Sequence, residues 1–154
     1  MVARASLVAL LAFWAPGVFA SAPSPSLAVD RRGSIRVTVT GYEPGRGQLA
    51  YLLFDRKKGF PRDRAFALDG RYVEAPQTPS FVFEFADLPF GDYVVTVYQD
   101  LNANQKLDKN FLGMPREPVG ASQNPRARWG PPGYEDCLFA LGEGLKAIEI
   151  RLTR

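Results

Sequence analysis

From Ser34 onward, Ile35, Val37 and Val39 alternate with Arg36, Thr38 and Thr40, the period of two that buries one face of a strand and wets the other. This predicts a first, edge-like strand. Glu43-Pro-Gly-Arg-Gly47 is turn chemistry, and the run from Gln48 to Phe54 is apolar on both faces, so the two runs are expected to form a hairpin. Charges, Gly59 and Pro61 break the pattern between Asp55 and Gly70, where a lid or a short helix is expected, with Phe60, Phe66 and Leu68 able to fold it back onto the body. Strand signals return at Arg71 to Ala75 and at Ser80 to Phe85, whose Phe81, Phe83 and Phe85 share one face and belong to the core. A tight turn around Leu88-Pro89 then feeds the apolar run from Tyr93 to Tyr98. Phe111 to Glu135 carries so many Pro and Gly residues that neither a helix nor a paired strand is expected, only a long extended loop. Cys137 to Leu141 and Lys146 to Leu152 are the last strands, separated by Gly142-Glu-Gly144. About seven short strands without a clear helix predict an all-β fold, an antiparallel β-sandwich with one long Pro/Gly-rich loop.

The ends bound where such a protein works. Arg4, an apolar stretch from Leu7 to Val18 and small residues around Ala20 form the pattern of a secretory signal peptide over residues 1–20. The apolar stretch is shorter than the roughly 20 residues that span a bilayer, and Trp14-Ala-Pro16 interrupts it. Removing 20 of the 154 residues leaves 134, enough for one domain with a real core. Residues 21–33, rich in Pro and Ser, then basic, are expected to be a flexible lead-in, and 34–154 the single domain. The mature chain is expected in the periplasm or outside the cell, as a monomer without a transmembrane segment.

Composition excludes more than it assigns. The chain has no histidine, which removes the commonest general base, every His-dependent triad and most zinc or copper sites. Cys137 is the only cysteine; it cannot close an internal disulfide, and its apolar setting predicts a buried thiol rather than a reactive one. The mature chain carries 18 basic and 16 acidic residues, a balance of +2. Clusters at Arg31-Arg32, Arg56-Lys57-Lys58 and Arg126 with Arg128 lack the alternating aromatics of a base-stacking surface, so no nucleic-acid partner is expected; they read as solvated loops, with acidic lipid headgroups as the alternative.

One loop carries candidate chemistry. Asp100-Leu-Asn102-Ala-Asn104-Gln-Lys106-Leu-Asp108 places oxygen-bearing side chains at positions 1, 3, 5 and 9, with the Lys106 carbonyl at position 7, a spacing suited to a hard cation such as Ca²⁺. The alternative is an Asn-rich turn whose side chains bond the local backbone and hold no metal. Both readings stay open.

Phe85-Ala-Asp-Leu-Pro-Phe-Gly-Asp-Tyr93, the Asp100 loop, and Leu112-Gly-Met-Pro-Arg-Glu117-Pro-Val-Gly-Ala-Ser122-Gln-Asn124 follow in order. Together they resemble the secreted bacterial family catalogued as domain of unknown function 2141, and the first of them also resembles the turn of transthyretin-like and carboxypeptidase regulatory sandwiches. The resemblance covers nearly all of the mature chain and implies an immunoglobulin-like or transthyretin-like sandwich exported in Gram-negative bacteria; it brings no activity with it. One departure from the family is that Gln105 stands at position six, where the family usually has Gly and where calcium loops need a positive φ. Position 12 is Phe111 rather than a bidentate Glu, and Glu117 is the candidate for the missing carboxylate. With only two formal charges from the loop, opposed by Lys106 and Lys109, affinity is expected near a Kd of about 10⁻⁴ to 10⁻³ M.

The function expected from these observations is a noncatalytic exported binding module, meeting an unknown protein, peptide or envelope glycan, with Phe111, Trp129 and Tyr134 either exposed for stacking or folded under the loop. The alternative is a hydrolase that pairs Glu117 with Asp100 or Asp108 as acid and base.

Overall fold

The computed structural model describes residues 31–126 and 132–154. The signal peptide expected over residues 1–20, most of the lead-in, and Trp129 lie outside the described residues. Among the described residues eight strands form: β1 (Arg32–Thr40), β2 (Gln48–Phe54), β3 (Asp69–Glu74), β4 (Ser80–Pro89), β5 (Gly91–Asp100), β6 (Val119–Ala121), β7 (Phe139–Leu141) and β8 (Gly144–Arg151). They build a mostly β, sandwich-like arrangement of two sheets. One sheet has the order β4-β1-β8, and the other β3-β2-β5-β6, with β7 also paired to β5.

Side-chain alternation explains the three-stranded sheet. Ile35, Val37 and Val39 of β1, Phe85 of β4 and Ile150 of β8 point into the core, with Phe81, Phe83 and Ile148 packed at its margin. Facing them from the second sheet are Leu49, Tyr51 and Leu53 of β2 and Tyr93, Val95 and Val97 of β5. The Tyr51 ring stacks on Phe83, 3.9 Å between centroids, and meets Phe85 edge-on, arrangements that add to the burial of the rings.

The unbroken apolar runs of β2 and β5 have a different cause. Their outer residues Leu52, Phe54 and Val94 pack on a second cluster with Ala121, Tyr134 and Cys137, against Phe60, Ala67 and Leu138. A strand covered on both faces reads as continuous rather than alternating. The cover comes from the 55–68 segment, with a 3₁₀ turn at Arg64–Phe66, and from a short helix α1 (Tyr134–Cys137). Thr96 fastens the segment by donating from Oγ1 to the Pro61 carbonyl, and the Leu68 N–H donates to Leu53 O.

Several local expectations change. Strand β1 begins at Arg32, two residues into the expected lead-in, and is central rather than edge-like, because β8 returns beside it in parallel, Val37 opposite Ile148. The sandwich is therefore antiparallel apart from this pair. β1 and β2 are not a hairpin; they lie in different sheets, and the 41–47 turn arches from one layer to the other. The stretch from Phe111 to Glu135 is not wholly loop: Val119–Ala121 pairs with Thr96–Tyr98, and Tyr134 starts α1. Gly120 also lets β6 pass close to β8, since a Cβ there would meet the side chain of Ile150 and the Arg151 carbonyl. Cys137 ends the helix instead of opening a strand, and the strand follows at Phe139.

Cys137 is fully buried, and burial, reinforced by Asp136, pushes its thiol up to about 11. The native protein is therefore expected to leave a disulfide reagent such as DTNB unreacted at pH 8, and to release one thiolate equivalent when urea opens the second cluster; rapid native labelling would contradict this placement.

Candidate functional site

The site grows from the end of β5, where two polar residues, Gln99 and Asp100, are fully buried. Polar groups there must find partners or destabilise the fold. Gln99 meets the need at the interlayer arch: its Nε2 donates to the carbonyls of Glu43 and Arg46 at 2.8 and 2.7 Å, and its Oε1 accepts the Glu43 N–H. Gly47, at φ 63°, brings the arch against the Asp100 carbonyl, which an added Cβ would strike.

Asp100 meets its need in the loop that follows. Its Oδ1 accepts from the Asn104 N–H at 3.1 Å and its Oδ2 from the Gln105 N–H at 2.6 Å. Asn102 Oδ1 shares the Asn104 N–H, and Asn104 Oδ1 accepts from Lys106 N at 2.8 Å. The two amide groups then converge on Asp108: Asn102 Nδ2 donates to Oδ2 at 2.8 Å and Asn104 Nδ2 to Oδ1 at 3.2 Å. Glu117, 3 % exposed, closes the ring from below, with Oε1 accepting from Leu101 N at 2.8 Å and Oε2 from Asp108 N at 2.9 Å. The structure thus brings together Asp100, Asn102, Asn104, Asp108 and Glu117, while Lys106 joins through its main chain.

Gln105 has φ 60°, the left-handed conformation expected at position six, and Ala103 has φ 54°. A non-glycine residue adopts it at a cost of roughly 1 kcal/mol. The Asp100 bond to its N–H offsets that cost, as does the Tyr72 hydroxyl, which donates to the Gln105 carbonyl at 3.2 Å. Tyr72 shares a hydrogen bond of 2.8 Å with the Tyr98 hydroxyl; burial first, and this bond second, hold the Tyr98 pKa well above the ordinary tyrosine range. The paired hydroxyls of Tyr72 and Tyr98 tie the loop to the sheet.

Above the loop, the chain makes a second, smaller turn. Lys109 pairs with Pro115, and Arg116 N donates to the Asp108 carbonyl. Asn110 Oδ1 accepts from both Leu112 N and Met114 N at 3.0 Å, while the Asn110 N–H donates to Met114 O and the Gly113 N–H to Asn110 O. The tip is apolar and open: Phe111 is 95 % exposed, Leu112 71 % and Met114 49 %. Of the aromatic candidates for stacking, Phe111 is exposed. Tyr134 is buried, edge-on to Phe60.

What this arrangement can do chemically follows from its bonds. Both oxygens of Asp100 and both of Glu117 accept main-chain N–H groups, and Asp108 accepts two amides. Two shallow clefts, one beside Arg32, Ser34, Glu84 and Asp87 and one beside Thr40, Asn124 and Arg151, do not include the loop. Among the described residues no group of three or more His, Cys, Asp or Glu side chains is placed to hold a metal ion; an ion here would depend on the two Asn carbonyl oxygens beside the carboxylates. Two polar residues that sequence reasoning passed over brace the region, Gln99 and the buried Ser122. Ser122 Oγ donates to the Cys137 carbonyl and accepts from Val95 N. A lone Gln or Ser beside apolar neighbours carries no distinctive spacing, so only its burial identifies it.

Replacing Glu117 by Gln keeps the shape but turns one acceptor into a donor facing a main-chain N–H. Glu117→Gln is expected to lower stability by about 2 to 3 kcal/mol in urea unfolding, whereas Asn102→Ala, at an exposed position, costs about 1 kcal/mol; equal small losses would show that Glu117 is not the brace.

No curated protein and no solved structure matches the chain. The family described as "Uncharacterized protein conserved in bacteria (DUF2141)" matches residues 37–149, a span that holds both sheets, the loop, Glu117 and the apolar tip. The chain belongs to this bacterial family.

Proposed function

We propose that this chain is an exported, noncatalytic binding module, in which the Asp100–Asp108 loop and Glu117 form a rigid base for the 109–116 turn and that turn meets the partner. The observation that carries this reading is the contrast across a few residues: Asp100 and Glu117 are buried and fully bonded, while Phe111 beside them stands 95 % exposed. An apolar side chain held out by a hydrogen-bonded turn costs solvation in the free protein, and burial against a partner recovers it. The hydrolase alternative finds less support. A general acid and a general base need a lone pair or proton free to reach substrate, and the bonds of Asp100 and Glu117 are directed into the main chain.

The same base supports a weak structural Ca²⁺ site. Position one bonded to the N–H of position six, a left-handed Gln105, and side-chain oxygens of Asn102, Asn104 and Asp108 on one loop are features that a calcium loop needs. Bound Ca²⁺ would exchange the two Asn amide bonds to Asp108 for oxygen ligation and would pin the loop without a disulfide. Ligand bound only by the folded state at ten times its Kd adds about 1.4 kcal/mol, so melting is expected to rise by roughly 5 °C in about 10 mM CaCl₂ over EDTA. Calorimetry is expected to show saturable heat that Asn104→Ala diminishes. Identical melting in CaCl₂ and EDTA, with no heat, would leave the hydrogen-bonded turn as the whole of the site.

A further inference from the structure

We infer that the 109–116 turn is a docking element for an anionic lipid surface, with Phe111, Leu112 and Met114 entering the headgroup region and Lys106, Lys109 and Arg116 facing the lipid phosphates. The inference rests on the proposed reading of the loop as a rigid base, and it names the partner of the tip.

Three features of the turn point to lipid. Its apolar side chains are contiguous and project from a tight turn, with Phe111 almost wholly exposed, so they suit a shallow, deformable layer. Cations flank them: Lys106, Lys109 and Arg116 are exposed and make no ion pair among the described residues. The acidic groups of the same segment are engaged in hydrogen bonds, half-buried Asp108 with the Asn102 and Asn104 amides and buried Glu117 with main-chain N–H groups. An apolar tip flanked by exposed cations, with the neighbouring carboxylates held in hydrogen bonds, complements a negatively charged bilayer surface.

The main chain fits the same environment. An N–H that enters an apolar layer without a partner is costly. In this turn the N–H groups of Asn110, Leu112, Gly113 and Met114 donate within the turn, two of them to the single Asn110 Oδ1, and Pro115 has none; the Phe111 N–H has no partner within the turn and would stay at the hydrated headgroup level. Only short insertion is required, because the turn stands on a base fixed by Asp100 and Glu117.

The test is co-sedimentation with vesicles of phosphatidylcholine alone and with roughly one phosphatidylglycerol in three lipids. The protein is isolated from cells expressing the full chain, and its N-terminus is determined by mass spectrometry, so that each variant is compared with wild type at the same N-terminus. Preferential binding to the anionic vesicles is expected. Phe111→Ser should weaken it by roughly tenfold or more, and Lys109→Ala and Arg116→Ala by about fivefold each, with melting temperatures unchanged because all three side chains are exposed. Absence of binding, equal binding to neutral vesicles, or binding that Phe111→Ser leaves intact would overturn the inference. So would a concentration-dependent dimer, formed without lipid and abolished by Phe111→Ser, which would assign the tip to a second copy of the chain. Calcium calorimetry on the same samples separates the two readings: anionic-vesicle binding by a protein that gives no calcium heat supports the lipid surface and removes only the metal, whereas calcium binding without vesicle binding removes only the lipid.

Discussion

Two carboxylates withdrawn from water at the end of the central strand constrain everything around them. Asp100 and Glu117 are buried, and a buried carboxylate is tolerable only where donors surround it. The donors come from main-chain N–H groups of Leu101, Asn104, Gln105 and Asp108, so the path of the loop is dictated by the demands of those four oxygens. The left-handed turns at Ala103 and Gln105 are local costs accepted because they aim these N–H groups inward. Gln99, one residue earlier, imposes the same kind of demand on the arch between the two layers.

Strand β5 transmits this order to the rest of the molecule. It pairs with β2 along one edge and with β7 and then β6 along the other, and it is covered on one face by the facing sheet and on the other by α1 and the 55–68 segment. A loop rooted in such a strand inherits its rigidity. In a family domain without an internal disulfide, hydrogen bonds at the strand end take over the stapling that a cross-link would provide. The exposed tip then rests on three successive supports: packed sheets, the ring of the Asp100 loop and Glu117, and the small Asn110-centred turn.

This division of labour is the basis of the proposed binding role. The buried carboxylates of Asp100 and Glu117 direct their oxygens to main-chain N–H groups. What the region presents outward is shape, apolar area and positive charge. Those are the properties that decide binding to a surface.

Much of this was legible in the chain. Period-two alternation marks Ile35, Val37 and Val39 as inward-facing; of the Phe81, Phe83 and Phe85 face, Phe85 is buried in the core while Phe81 and Phe83 pack half-buried at its margin; and the motifs from Phe85 to Asn124 identify the family. The spacing of Asp100, Asn102, Asn104 and Asp108 marks a loop whose side chains can bond the local backbone or a cation, because side-chain chemistry at short separation is a local property. Partnership between distant segments was not legible. That β1 and β2 lie in different layers, that β8 runs parallel to β1, and that Val119–Ala121 pairs with β5 amid prolines and glycines depend on contacts between residues far apart in sequence, and such pairing leaves no local pattern. Burial was likewise beyond the sequence for Gln99, Ser122 and Tyr134, and so was exposure for Phe111, since whether a polar or apolar side chain meets water depends on which other elements cover it. Sequence alone therefore determined which faces could be buried and which residues could bond to their neighbours; tertiary structure decided which faces met and which side chains stayed outside, because only the packed chain brings distant segments within bonding distance.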